Sequence, residues 1–397
     1  MLTRQHVEAN FFDGAEEVRR VLDTKFDQPY EDTIAWQYFA VPQLYTYLRT
    51  SPWNVFPRPL FQRFMTRLRE WSFDQLGLAP SGDPMLHLMV NGCSLSLHSD
   101  FHNGVFGYVY SLTRWQQRTF AGGETLLLRD GNASYKKHHA HGSTLYELVP
   151  ALFNQLLVFD DRIAHATPTI EGSMIPKEGR IAVVGHLRAR APKVIGPLLA
   201  SAARRVIAET LARLAIQLKV YKDVQGTMSY RLRVGSDGAV RGLDVLTNNL
   251  VVPGIGYGKS EEVIASKTVL HDHLRTMLFP AASHASEVTL AVLLPIPDLR
   301  PIEVRVPHAL PPDMARAAAR DAMASTMTLN TQWKPDSQSE DDLVIEDPLD
   351  GVVRIGTDAI VASFEAPQWV PSQRAQFELD VTRAIQAAVE AAGTPQR

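Results

Sequence analysis

Three residues near the middle of the chain have the types and spacing needed to hold a metal ion. His98 and Asp100 stand two apart in "LSLHSDFHNG", and His165 sits in "VFDDRIAHATPTI", after a short apolar run and before a proline. Residues i and i+2 of a strand project to the same face. The His98 imidazole and the Asp100 carboxylate would therefore stand side by side. Together with His165 they form the two-histidine, one-carboxylate set that binds Fe(II) from one side and leaves its other positions open. Arg180 heads the apolar run "RIAVVGHLR", and a guanidinium there is suited to clamp a carboxylate through two parallel N–H groups. A lone His-X-Asp is a weak signal in a chain with 13 histidines. Its order ahead of His165 and Arg180 is what gives it weight.

These residues need strands to carry them, and the chain supplies strands where they lie. Between about 85 and 190, runs such as "MLHLMV", "VFGYVYSLT", "ETLLLRD", "NQLLVFD" and "RIAVVGHLR" are separated by Gly, Asn, Asp and Pro. Many short strands with turn signals indicate a sandwich, jelly roll or barrel. Residues 1 to about 80 read as mostly helical, with Leu60, Phe64, Leu68 and Trp71 on one helical face and "WNVFPRP" as a loop. Residues 188–197 read as a connector. A helix follows, with Leu199, Val206, Leu211, Leu214 and Leu218 as its buried stripe. A hairpin turning at Ser236-Asp237-Gly238, a helix near 260–277 and a strand near 286–294 come next. The acidic stretch 336–350 reads as a solvated loop or linker, and a last helix starts at Ser372 behind Pro371 and stops at Gly393.

Residues 85–190 resemble the Fe(II)/2-oxoglutarate-dependent dioxygenases, in particular the prolyl-hydroxylase-like branch. The matching pieces are "NGCSLSLHSD", "VYSLTRW", "FAGGETLLL" and "VFDDRIAHATPTI…GRIAVVG", in that order. The resemblance implies an α+β chain whose double-stranded β-helix (jelly-roll) core carries N-terminal helices. A C-terminal α/β region is appended to it. The catalytic domain would span 1–192 and the C-terminal region 196–397, with a division near 305–350. His98, Asp100 and His165 would be the Fe(II) ligands and Arg180 the clamp for 2-oxoglutarate, with Lys177 as a rival because "SMIPKE" lengthens that loop. The family often carries a tyrosine for the cosubstrate nine residues before the first ligand. Here that position is Met89, and Tyr108 or Tyr110 stands as its substitute. The implied activity uses dioxygen, with ascorbate as an accessory, to hydroxylate an unactivated C–H bond of an amino-acid, peptide or protein substrate. Succinate and carbon dioxide are released. The same site could serve desaturation or cyclisation, and a cupin-like metal-binding scaffold is the alternative outside enzymes. The C-terminal half faintly resembles the small α/β module of TonB-like proteins, which assigns no activity; recognising a peptide or carrier substrate, forming a homodimer and bracing the catalytic domain are the roles open to it.

Other features narrow these readings. A net charge of -3 argues against binding nucleic acid or an anionic membrane through bulk positive charge. Cys93 is the only cysteine, so one chain can form neither an internal disulfide nor a thiolate cluster, and it reads as a small buried residue. The first residues lack the apolar run of a signal peptide, and no run reaches membrane-spanning length, so a cytoplasmic protein is expected. His138, His139 and His141 in "KKHHAH" read as a solvated loop rather than a metal site. His102 is a weak candidate for substrate contact, and His186 could face either side of its strand.

Overall fold

The computed structural model describes residues 4–28, 34–101, 103–129, 145–253, 256–257, 260–297, 302–326, 334–335, 342–345, 351–364 and 371–393. His102, His138, His139 and His141 lie outside the described residues. The chain divides into two compact units. The first is Met1–Arg188 with Asp223–Thr227 and Leu246–Ala265; the second is Ala189–Lys222, Met228–Val245 and Ser266–Arg397.

The first unit is built on one antiparallel sheet of eleven strands. These are β1 (Gln5–Glu8), β2 (Gln37–Val41), β3 (Tyr45–Thr50), β4 (Ala79–Met89), β5 (Ser94–His98) and β6 (Phe106–Ser111). They continue as β7 (Thr125–Leu128), β8 (Tyr146–Val149), β9 (Gln155–Asp160), β10 (His165–Thr167) and β11 (Arg180–Arg188). Their order is β1-β9-β6-β11-β4-β3-β5-β10-β7-β8, with β2 paired to β3. In that order β9 and β10 are far apart, yet the Phe159 ring of β9 lies 4.7 Å from the His165 ring of β10. Leu127 of β7 also packs in one cluster with Leu157 and Phe159. The sheet therefore curls until its two limbs face each other across an apolar floor.

Two helices cover the outside of one limb, α1 (Ala15–Asp27) and α2 (Arg58–Leu76). Leu60, Phe64, Leu68 and Trp71 are all buried on α2, and Phe64 stacks on Tyr110 of β6 at 4.7 Å. Residues 1–80 are less helical than their sequence suggests. "YFAV" and "YTYLRT" carry the aromatic and β-branched residues that suit a pleated surface, and they pair as the β2–β3 hairpin. Pro52–Asn54 is a short 3₁₀ turn within the expected loop.

The second unit holds α3 (Ala200–Gln217) and most of a sheet ordered β12-β17-β13-β14, formed by Lys193–Ile195, Gly226–Val234, Val240–Asn248 and Ser286–Leu294. The expected connector thus contains a strand, β12. The hairpin turn is as the sequence indicates, with Gly238 at φ 82°. The stripe expected on α3 is corrected in part: Leu199 precedes the helix and is exposed, while Ala203 and Ile207 are buried with Leu211 and Leu214. The two-stranded ribbon β15–β16 (Val251–Val252, Gly256–Tyr257) precedes α4 (Glu261–Arg275). A second sheet is ordered β18-β22-β21-β20-β19 (Ile302–Pro307, Lys334–Pro335, Asp342–Ile345, Gly351–Ile355 and Ala359–Phe364). Its apolar side, including Val304, Val353 and Phe364, forms one core with Ala322, Val381 and Ile385 of α5 (Pro312–Thr326) and α6 (Pro371–Gly393). Asp342–Ile345 pairs as β20, so that part of the acidic stretch is strand rather than loop. Among the described residues no helix is long and apolar enough to cross a membrane.

Candidate active site

His98 ends β5 and His165 begins β10, and the two are register partners on adjacent strands. A register shift lies between His165 and Thr167: His165 opposes His98, whereas Thr167 opposes Leu95. Between these pairs Ala166 alone faces Ser96 and Leu97, and the extra residue on β5 turns His98 and Leu95 to the same side. Bulges often re-aim side chains beside functional sites in this way. Asp100 lies just past the strand, where its N–H donates to the Asp161 carbonyl at 2.8 Å. Asp100 Oδ2 is 3.4 Å from His165 Nε2 and 4.0 Å from His98 Nε2. One ligand atom from each residue fits within 4.8 Å of the others. The structure thus brings together the three residues singled out in the sequence.

The tautomers suit a metal. His98 Nδ1 lies 2.7 Å from the Ser96 carbonyl, and His165 Nδ1 lies 2.9 Å from the Ile163 carbonyl. A carbonyl accepts only, so each Nδ1 carries the proton and each Nε2 presents its lone pair to the other two groups. This is the orienting contact that metal-bound histidines use. Burial, and then the neighbouring His165, lower the His98 pKa and keep its ring neutral. Burial acts to raise the Asp100 pKa. The surrounding histidines outweigh it and hold the carboxyl below its usual range, so the group is a carboxylate. Two neutral imidazoles and one carboxylate bring one negative charge, which fits a divalent ion that must still accept an anionic ligand.

Arg180 heads β11 and is 2 % exposed. Its Nε donates to the Gly123 carbonyl at 2.8 Å, one Nη to Thr125 Oγ1 at 3.4 Å and the other to Met89 Sδ at 3.6 Å. Gly122 and Gly123 take φ of 76° and 81°, which an L side chain rarely adopts. That backbone turns the Gly123 carbonyl onto the guanidinium. All three partners are neutral, and no carboxylate pairs with Arg180 among the described residues. Burial lowers its pKa to about 10 while the charge of Glu124 acts to raise it, so the cation persists at neutral pH although no carboxylate hydrogen-bonds it among the described residues. A buried cation of this kind is a ready site for an anion. The rival Lys177 lies on the surface, paired with Asp27 at 2.7 Å.

Tyr110 is corrected. Its ring packs on Phe11 and Phe64, and its hydroxyl donates to Asn154 Oδ1 at 3.0 Å. Its neighbour Val109 packs with Leu127, Leu157 and Phe159 on the metal side. Alternation along β6 therefore points Tyr110, and with it the buried Tyr108, toward the helices. The aromatic side chains at the site come instead from β3. The Tyr45 ring meets His98 edge-on at 5.2 Å, and the Tyr47 ring lies 4.5 Å from His87. Arg49 lies over the Phe39 ring at 4.2 Å and donates to Gln37 at 2.8 Å, extending this wall onto β2. His87 shares the Met89 face of β4. It is 9 % exposed, and no described residue hydrogen-bonds its ring. Burial, then the charges of Arg180 and Arg49, push its pKa down to about 3. The sequence signal for this wall is the alternation in "YTYLR", which the helical reading of residues 1–80 obscured.

A second acid–histidine pair braces the ligand loop. The buried Asp161 carboxylate contacts His186 Nδ1 at 3.0 and 3.1 Å, so His186 faces the ligand side of β11. Beside it, buried Asp160 accepts from Arg162 and, at 2.9 Å, from Asn249 Nδ2. Asn249 Oδ1 in turn accepts from the Thr227 N–H at 2.6 Å. Segments beyond residue 222 thus complete the surroundings of the strand that leads to His165.

No protein-family model and no curated protein matches the chain. Solved structures do resemble it. A Pseudomonas putida prolyl-4-hydroxylase is 18% identical over 47% of this chain and 92% of its own, with a TM-score of 0.34. A Trichoplax adhaerens prolyl hydroxylase in complex with a hypoxia-inducible-factor peptide fragment is 12% identical over 46% of this chain and 82% of its own, also at 0.34. HygX from Streptomyces hygroscopicus, with nickel and 2-oxoglutarate bound, is 11% identical over 46% and 81%, at 0.32.

Proposed function

We propose that the chain is an Fe(II)- and 2-oxoglutarate-dependent oxygenase that hydroxylates an amino-acid or peptidyl substrate. One observation carries the reading: a two-histidine, one-carboxylate set with both Nε2 atoms turned to the shared carboxylate lies on the same curled sheet as a buried arginine whose hydrogen-bond partners are all neutral. Fe(II) with 2-oxoglutarate and dioxygen supplies the oxidation of an unactivated C–H bond, releasing succinate and carbon dioxide.

The chain's own residues hold and orient. His98, Asp100 and His165 present one ligand atom each, and the Ser96 and Ile163 carbonyls keep the rings turned. Arg180 receives the distal carboxylate of 2-oxoglutarate, and its Nε bond to Gly123 leaves the Nη groups to face the anion. Leu127 and Phe159 floor the site and exclude water. Tyr45, Tyr47, Phe39 and Arg49 form a wall suited to a substrate with both apolar surface and a hydrogen-bonding group.

The test is to supply the purified chain with Fe(II), 2-oxoglutarate and dioxygen and to measure succinate. Candidate amino acids and peptides are then screened by mass spectrometry for one added oxygen. Wild type should release succinate and Asp100→Ala should not. A folded wild-type chain that binds no Fe(II) would sink the reading.

A further inference from the structure

The three candidate ligands and Arg180 leave His87 without a role. It projects from the same face of β4 as Met89, whose sulfur touches Arg180. Its register partners are Ala182 on β11 and Arg49 on β3. Tyr47 packs on it while Tyr45, two residues along the same face of β3, packs on His98. His87 therefore lies on the wall that joins the arginine to the metal ligands. Its ring is more than nine-tenths buried, yet no described residue hydrogen-bonds it. A ligand that accepts its proton would give the ring the hydrogen-bond partner that no described residue supplies.

We propose that His87 is a binding residue for the cosubstrate, its neutral imidazole donating a hydrogen bond to the carboxylate that Arg180 holds. The proposal rests on the reading of the site as a 2-oxoglutarate pocket. The ring stays neutral because it is buried between two arginines, so it offers one N–H and adds no third positive charge. Position 89 brings a methionine sulfur to the arginine, which supplies no O–H donor. Tyr108 and Tyr110 face the helices. His87, two residues back on the same strand face, supplies the donor instead.

The experiment is an anaerobic titration of the full-length Fe(II)-loaded chain with 2-oxoglutarate, followed by its charge-transfer absorption and by calorimetry. His87→Leu should weaken 2-oxoglutarate binding about tenfold, the worth of one hydrogen bond to a charged group. His87→Gln, which keeps a donor, should restore binding to within about threefold of wild type. Fe(II) affinity should be the same in all three. Binding of 2-oxobutyrate, which lacks the distal carboxylate, should not change between wild type and His87→Leu. If His87→Leu does not fold, His87→Ala carries the same expectation.

The proposal is overturned if a folded, iron-binding His87→Leu or His87→Ala chain takes 2-oxoglutarate as wild type does. It is also overturned if the loss appears equally in Fe(II) affinity or in 2-oxobutyrate binding. A wild-type chain that binds Fe(II) but no 2-oxoglutarate overturns the reading of the pocket itself and this proposal with it; the failure is then common to every variant rather than confined to position 87.

Discussion

Two arginines of the first unit are almost wholly buried, and their surroundings differ in kind. Arg19 of α1 is 1 % exposed; its Nε pairs with Asp23 at 2.9 Å, and its two Nη groups donate to the carbonyls of Leu112 and Lys177. It ties the helix to two loops and leaves no charge to be answered. Arg180 is 2 % exposed and touches a carbonyl, a hydroxyl and a thioether. Burial lowers the pKa of both. Among the described residues only Arg19 hydrogen-bonds a carboxylate; Glu124 acts on Arg180 through its charge alone. The contrast separates a structural cation from one that awaits an anion, a distinction that burial alone does not make.

The strongest way to break the comparison is to remove each guanidinium in turn. Arg19→Met should destabilise the chain by about 3 kcal/mol, because it leaves two buried carbonyls and Asp23 without their donor. Arg180→Met should cost less, about 1 kcal/mol, since it leaves only the Gly123 carbonyl and Thr125 without their donor and relieves a buried charge that no carboxylate hydrogen-bonds. Chemical denaturation of both variants checks this. Equal losses would mean that Arg180 is structural after all.

Binding should show the opposite order. Arg180→Met should weaken 2-oxoglutarate about 30-fold or more, at roughly 2 kcal/mol for losing one partner of a buried charge pair. A conservative surface change at Lys177, whose partner is Asp27, should leave binding unchanged. Titration of the Fe(II)-loaded variants decides between them.

Asp160 sharpens the contrast from the acidic side, being buried with partners on both oxygens. Asn249→Ala takes one of them away and leaves the Thr227 N–H without its acceptor. A loss of about 1–2 kcal/mol in stability is expected, measured by denaturation.

The smallest effect concerns pH. The folded value for His87, about 3, lies below the ordinary 6.5, so the unfolded chain takes up the proton first. Stability from this group is intact above 6.5 and is lost progressively as the pH falls toward 3. Thermal melts of wild type and His87→Gln over the upper part of that window should show a shallower acid limb in the variant.

The proposed metal set was open to reading in the sequence because a ligand triad depends on residue type and order. His98, Asp100, His165 and Arg180 were readable from short polar insertions beside apolar runs. The inward face of a strand buried on both sides was not readable. In "FGYVYS" all but one residue is buried, so hydrophobic alternation cannot say whether tyrosine or valine looks inward. Tyr108 and Tyr110 could therefore be offered as substitutes for the tyrosine absent at Met89, and His87 in "MLHLM" was not singled out. The β2–β3 wall was missed because short aromatic runs satisfy helical and strand spacing alike.

Residue identity and order by themselves determined the chemistry available to this chain: two imidazoles, one carboxylate and one guanidinium at family-like spacing. The curl of the sheet decided which other groups share their cavity, because it packs β9 against β10 and sets β3 and β4 beside the ligands. The contacts of β3 and β4 with the ligand strands join residues tens of positions apart, such as Tyr45 and His98, and local pattern carries no record of them. Only the tertiary structure could separate the arginine that hydrogen-bonds an acid from the one that does not.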